Sequence, residues 1–205
     1  MSSRRVLMSL SALLFTCSLA PLSAQPAKPA AKPAAKPAAA TAPSPGAGPI
    51  IVVETVKGSF EFETYPDEAP KTVEHLLKLV SRNFYNGLRV HRLVPGFIVQ
   101  WGDPQTRDMS KRDAWGRGSA SQSGRPIGVA EISKKRMHEK GSVGVAHAGD
   151  PTQGDSQIYV VTGENTPSIK GLNGKYAVFG KVLSGMDVVL KLQETDVIKK
   201  MYVKK

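Results

Sequence analysis

Apolar positions between Ile50 and Val203 recur in short runs broken by Gly, Pro, Asn and Asp, a rhythm that predicts many short strands and few helices. Ile50 to Val56 is a dense β-branched run, and after Lys57-Gly58 the residues Phe60, Phe62 and Thr64 alternate with Glu61 and Glu63. Two residues in the corner and alternation beyond it predict a hairpin. Pro70 then suits a first helical turn, and Val73, Leu76, Leu77 and Val80 repeat as the stripe of a helix buried on one side. His75 lies beside that stripe, as a surface or packing histidine. Asn83 to Gly87 turns the chain into Leu88–Gly102, LRVHRLVPGFIVQWG, where Val90, Leu93 and Val94 precede a Pro95-Gly96 corner and Phe97, Ile98 and Val99 follow it. These read as two strands.

Asp103 to Arg125 is polar and rich in Gly and Ser, a loop long enough to serve function, with Trp115 either capping the core or overhanging a groove. Short strands are predicted at Ile127–Ala130, Ser142–Ala146, Ile158–Val161 and Tyr176–Val182, a capped helix from Ser184 through Leu192, and a last strand from Val197 to Val203. The expected fold class is mainly β, a closed barrel with helices over its ends.

The first 49 residues differ in kind. Arg4-Arg5, an apolar run from Val6 to Leu19 and Pro21-Leu22-Ser23-Ala24 have the order of a secretory signal over 1–24, with cleavage after Ala24 expected. The apolar run is too short to span a bilayer comfortably, so no transmembrane span is expected in the mature chain. Leu14-Phe15-Thr16-Cys17 resembles a lipoprotein box and Ser3-Arg4-Arg5 a twin-arginine signal only loosely, and lipidation at Cys17 is not the favoured outcome. Residues 25–49 carry the repeat AKPAAKPAAKPAAA, an extended solvated linker, which leaves 50–205 as one domain with room for a core. The expected location is periplasmic or secreted.

Charge and cysteine usage narrow the chemistry. Of 205 residues one is cysteine, Cys17, so a chain starting at Gln25 has no disulfide, thiol nucleophile or cysteine-bound metal. The formal charge of +11 falls to +6 once Arg4, Arg5, Lys28, Lys32 and Lys36 are set aside. The remaining cations are interspersed with carboxylates, and the nearest approach to a basic patch, Lys134-Lys135-Arg136, reads as a solvated turn; no specific nucleic-acid binding is expected. His75, His91, His138 and His147 lack metal-ligand spacing, and no G-x-S-x-G elbow or H-E-x-x-H helix occurs. Asp155-Ser156 near His147 has no oxyanion turn to make it a hydrolase. No cofactor is expected, and a monomer is. Strand alternation places Arg92 and Gln100 on one solvent-facing surface beside Phe97, which describes either an ordinary strand pair with polar outer residues or a site.

HRLVPGFIVQ at 91–100, AHAGDPTQGDSQIYVV at 146–161 and LNGKYAVFGKVLSGMDVV at 172–189 resemble the three signature blocks of the cyclophilin family of peptidyl-prolyl isomerases, in the family's order and spacing. The resemblance implies an eight-stranded antiparallel barrel capped by two helices, and cis–trans isomerisation of X–Pro bonds in proline-containing peptides and unfolded proteins. By the same resemblance Arg92 donates to the prolyl amide, Phe97 and Tyr159 line a proline pocket with Ile98 and Leu172 as further wall, and Gln100 and Gln157 position substrate and guanidinium. The His147 backbone pairs with the substrate chain, and Tyr176 keeps a ring with a polar tip where other members carry histidine. The family's tryptophan near Gly171 is absent, which implies weak cyclosporin binding, and Trp101 stands where glycine is usual. Packing against the loop of Trp115 would account for it. A non-catalytic proline-peptide-binding or chaperone module on the same fold is the alternative function.

Overall fold

The computed structural model describes Ser44 and residues 47–119 and 122–205. The expected signal segment and most of the linker lie outside the described residues. The chain divides into two units, 1–35 and 36–205, and every described residue belongs to the second.

Eight antiparallel strands, β1 (Ile50–Thr55), β2 (Gly58–Thr64), β3 (Arg92–Val94), β4 (Ile98–Trp101), β5 (Ser142–Val145), β6 (Ile158–Val161), β7 (Val178–Ser184) and β8 (Ile198–Val203), form one sheet in the order β3-β4-β6-β5-β7-β2-β1-β8. The sheet curls into a half-barrel. Its edge strands, β3 and β8, share no ladder, so the ring expected from the sequence is not made by strand pairing there. The chain entering β3 approaches the start of β8 through single bonds: Gly87 N–H to the Ile198 carbonyl (2.8 Å), Ile198 N–H to Leu88 (2.8 Å) and Val90 N–H to Asp196 (2.9 Å).

Strand alternation gives the sheet two apolar faces. On the inner face Val99, Trp101, Val143, Val145, Ile158 and Val160 join Phe60, Phe62, Leu79 and Phe179 in the main core. On the outer face Ile98, Tyr159 and Val161 form a second, smaller cluster with Ile169. Trp101 therefore belongs to the inside: it is fully buried in the main core and meets Phe60 edge-on at 6.0 Å. A residue one position after an outward Gln100 must point inward.

The first helix, α1 (Pro70–Ser81), forms as the stripe predicted, burying Thr72, Val73, Leu76, Leu79 and Val80. Ala69 offers it no side-chain cap, and the Glu131 carboxylate supplies one from 59 and 60 residues away, accepting the N–H groups of Lys71 (2.9 Å) and Thr72 (2.8 Å). The helix ends in a Schellman turn with Asn83 left-handed, Asn83 N–H on the Val80 carbonyl and Phe84 N–H on that of Leu79, both at 3.0 Å. The other two helices, α2 (Pro167–Lys170) and α3 (Met186–Val189), are single turns, so one substantial helix covers the sheet rather than two.

One further expectation changes. Ile127–Ala130 is not a strand; Ile127 and Gly128 make one backbone bond each to the turn at 152–154, with Gly128 in a left-handed conformation that interrupts a ladder. The polar loop after β4 is largely ordered by two 3-10 helices, Pro104–Arg107 and Met109–Ala114, capped by Asp103 and Asp108. The Lys134-Lys135-Arg136 stretch is a turn in which Arg136 pairs with Glu68 (2.9 Å) and lies 3.9 Å from the Tyr65 ring centre. At the other end of the described chain, Ser44 and Gly48 contact β2: Ser44 N–H reaches the buried Glu63 carboxylate at 2.6 Å and Gly48 N–H the Thr64 carbonyl at 2.8 Å.

Candidate active site

One register line across the sheet builds the site. Arg92 of β3 lies opposite Gln100 of β4, Gln100 opposite Tyr159 of β6, and Tyr159 opposite Gly144 of β5, so all four share the outer face. Val94, Ile98 and Val161 form the next line. The Pro95-Gly96 corner closes β3 onto β4, with the Phe97 N–H bonded to the Val94 carbonyl at 3.0 Å, and it delivers Phe97 to the edge of the same surface. Gly144 has to be glycine, because a Cβ there would lie 2.4 Å from the Tyr159 phenol. The missing side chain makes the space into which the tyrosine folds.

These elements enclose an open cleft of about 710 Å³. All nine residues singled out in the sequence line it: Arg92, Phe97, Ile98, Gln100, His147, Gln157, Tyr159, Leu172 and Tyr176. Its floor is the outer apolar cluster, Ile98 and Tyr159 with Phe97, Leu172 and Tyr176 packed against it. Arg92 is exposed at the lip. Gln100 is not the solvent-facing residue expected: it is 7% exposed, and its amide is committed on both sides. The Arg92 guanidinium donates to Gln100 Oε1 at 3.4 Å, Gln100 Nε2 donates to Gln157 Oε1 at 2.9 Å, and His91 Nε2 donates to the same oxygen at 3.0 Å. Each donor fixes the amide it meets, so the chain ends with a carbonyl oxygen turned to the guanidinium. Burial pushes the His91 pKa down, which keeps the ring neutral, and its Nδ1 is buried without a partner among the described residues. His91 was legible only as a polar interruption of a strand; its part in the relay depends on Gln157, 66 residues away.

The rim opposite comes from the loop after β4 and the turn before β6. Asp103, fully buried, accepts the N–H groups of Gln105 (2.8 Å) and Gly116, which holds the 3-10 helices against the site. Gly102 makes the turn possible: its φ is +113° and a Cβ would meet the Ser156 carbonyl oxygen at 2.1 Å. Trp115 lines the cleft, buried with its indole N–H on the Asp108 carbonyl (3.2 Å). Asp155, also buried, lines the same cleft and was not singled out as part of a binding site. Its carboxylate pairs with His75 of α1 at 2.7 Å and accepts from the Ser123 N–H (2.8 Å) and hydroxyl (2.6 Å). The serine is bonded to the carboxylate and not to the imidazole, so this is a latch on the loop and no nucleophile. His147 is equally far from hydrolytic use: Nε2 donates to the Lys175 carbonyl at 2.9 Å and the ring stacks on Tyr176 at 4.3 Å. Its backbone N–H and C=O pair with no group among the described residues, while the neighbouring Ala146 N–H is bonded to Gln157.

No group of three or more His, Cys, Asp or Glu side chains able to hold a metal occurs among the described residues. A permanent cation, oriented amides and an apolar floor can bind an extended peptide and donate to an amide in it; they hold no base or nucleophile for cleaving one.

Comparison with known proteins places this arrangement. The model of the family described as cyclophilin type peptidyl-prolyl cis-trans isomerase/CLD matches residues 50–205. Peptidyl-prolyl cis-trans isomerase B of Bacillus subtilis is 38% identical over 143 residues, covering 70% of this chain and 89% of that protein. Human peptidyl-prolyl cis-trans isomerase-like 3 is 32% identical over 152 residues, covering 74% and 86%. Among solved structures, a cyclophilin type peptidyl-prolyl cis-trans isomerase from Cryptosporidium parvum, determined in the presence of the dipeptide Ala-Pro, superposes with a TM-score of 0.63 at 25% identity over 76% of this chain and 99% of its own. With the family's model matched from the first strand to the last residue and relatives above 30% identity, the chain belongs to the cyclophilin type peptidyl-prolyl cis-trans isomerases.

Proposed function

We propose that the domain isomerises X–Pro bonds in peptides and unfolded proteins with Arg92 as its catalytic donor, and that its clients are exported or envelope proteins whose folding it assists. The observation that carries the reading is the pairing of Arg92 with Gln100 in register at the lip of an apolar cleft. Rotation about an X–Pro bond costs about 18–20 kcal/mol because amide resonance is lost, and as it is lost the proline nitrogen becomes a hydrogen-bond acceptor. A donor aimed at that nitrogen stabilises the twisted state more than either planar one, which is the condition for catalysis. Arginine suits the task because it stays charged at every relevant pH. Gln100 holds the guanidinium to one side of the cleft, Phe97, Ile98, Tyr159 and Leu172 form an apolar seat for the proline ring, and the backbone groups of His147, which pair with nothing among the described residues, are available to the substrate chain. Tyr176 supports that backbone through the His147 ring.

The export part of the proposal rests on residues 1–24, and mass spectrometry of the mature N-terminus tests it: a chain that keeps Met1 in the cell of origin overturns it. For the catalytic part, the purified protein is expected to accelerate exchange of an Ala-Pro peptide, and Arg92→Ala to remove roughly 10²-fold or more of that acceleration, as loss of a single transition-state donor does. Equal rates from the two proteins reject the role of Arg92. Peptide binding with no acceleration by either would make the domain the non-catalytic module instead.

A further inference from the structure

The Tyr159 hydroxyl is bonded to a histidine that isomerisation has no evident use for. His138, 2% exposed, lies on the segment leading into β5, with Nε2 2.8 Å from the Tyr159 oxygen and its ring plane 16° from that of Tyr159. On its other side Nδ1 is 2.9 Å from Asn173 Oδ1, which also accepts the His138 backbone N–H at 2.7 Å. An amide oxygen only accepts, so Nδ1 carries the proton and Nε2 presents a lone pair; the tyrosine is therefore the donor. Burial lowers the His138 pKa and holds the ring in that neutral form.

The bonds run between two parts of the cleft wall. Tyr159 belongs to β6. Asn173 follows Leu172 directly, in the turn where the N–H groups of Lys175 and Tyr176 both close on the Leu172 carbonyl at 3.1 Å. Leu172 and Tyr176 are cleft residues of that turn, and Tyr176 meets Tyr159 edge-on at 6.2 Å. One imidazole thus links the ring of the floor to the turn that carries the facing wall, from behind, without touching the cleft itself: His138 is not among its lining residues.

We propose that His138 is a positioning residue for the isomerase, setting the rotamer of Tyr159 and the seat of the 172–176 turn so that the width of the proline pocket is fixed before substrate arrives. The inference rests on the isomerase reading of the cleft. Packing places the Tyr159 ring but leaves its hydroxyl needing an acceptor, and a turn bonded mainly to itself can shift; a shared buried acceptor–donor pair ties the two together. The effect belongs to binding of the proline ring and not to the Arg92 donor, whose partner Gln100 has no bond to this network.

The test compares His138→Leu, His138→Gln, Tyr159→Phe and the double variant Tyr159→Phe/His138→Leu, using exchange kinetics on an Ala-Pro peptide and a direct titration of the same peptide. His138→Leu strands the phenol and the Asn173 oxygen and is expected to raise KM and the peptide Kd on the order of tenfold, with kcat changed less than about twofold. Glutamine can donate to Asn173 and accept from Tyr159, so His138→Gln is expected to restore most of the affinity. Tyr159→Phe in the leucine background is expected to cost less than in the wild type, because the hydroxyl it removes has already lost its acceptor. An unchanged KM and Kd for His138→Leu overturns the proposal, as do penalties that add without coupling. If the leucine variant does not fold, an unchanged Kd for Tyr159→Phe overturns it, and a Kd raised in Tyr159→Phe but near wild type in His138→Gln supports it. Failure of the wild type to catalyse exchange would remove the isomerase reading instead, and the titration would still report whether the tether sets affinity.

Discussion

Arg92 and Trp101 show how much a single register position decides. Both sit in the β3–β4 hairpin, nine residues apart, yet Arg92 stands at the lip of the cleft and Trp101 is sealed in the core with its indole N–H unpartnered among the described residues. Trp101→Ala removes a buried bicyclic side chain and is expected to destabilise the protein by roughly 3–5 kcal/mol, read as a lower urea midpoint. Trp101→Phe is expected to cost much less, since the lost ring volume is offset by removal of a stranded donor worth about 1–3 kcal/mol. A phenylalanine variant as unstable as the alanine one would show that the N–H has a partner in solution. On the site side, Gln100→Leu deprives the guanidinium of its anchor and Gln157 of a donor, and is expected to lower exchange activity on the order of tenfold, short of the loss in Arg92→Ala. Equal losses would mean that Gln100 also contacts the reacting amide.

At the level of elements, the long helix depends on a residue that no local rule nominates. Pro70 starts α1 and a left-handed Asn83 ends it, both readable as helix boundaries, but the cap on its first turn is Glu131, brought in by the segment between the ordered loop and β5. Glu131→Ala is expected to cost about 1 kcal/mol, the usual worth of an N-terminal cap, and Glu131→Gln less, since an amide oxygen still accepts one of the two N–H groups. Denaturant midpoints of the two variants check the order. The loop after β4 follows the same logic. Its polar composition announces a loop, while the order in it comes from Asp103 and Asp155, two buried carboxylates whose donors lie up to 80 residues distant.

For the molecule as a whole, buried imidazoles set an acid limit. His91 and His138 both have pKa values lowered by burial, against an unfolded value near 6.5. Below about pH 6.5 the unfolded chain binds a proton at each that the folded protein refuses, so stability falls with pH until the folded values are passed. The slope contributed is at most about 1.4 kcal/mol per pH unit for each histidine. Above neutrality neither group titrates, and both contributions are fully present. Urea midpoints measured between pH 7.5 and about pH 5 should therefore decline, and less steeply in His138→Gln; a flat profile in the wild type contradicts the neutral, buried state of both rings.

Local grammar is written in the residues alone: the β1–β2 hairpin, the α1 stripe, the Pro95-Gly96 corner, and the three blocks whose nine named residues share one cleft. These are legible because alternation, helical spacing and turn chemistry involve neighbours a few residues apart. The same rules predict a strand at Ile127–Ala130, a closed ring and a solvent-facing Gln100, none of which the described residues bear out in that form. That the sheet buries both faces, turning Gln100 and Tyr159 outward to a cleft and Trp101 inward to the core, follows from the assembled fold. It alone assigned His91, Glu131, His138, Asp155 and Asn173, whose partners are 21 to 80 residues away. A buried polar side chain is defined by the group that satisfies it, and at such separations the chain's path, not its composition, chooses that group.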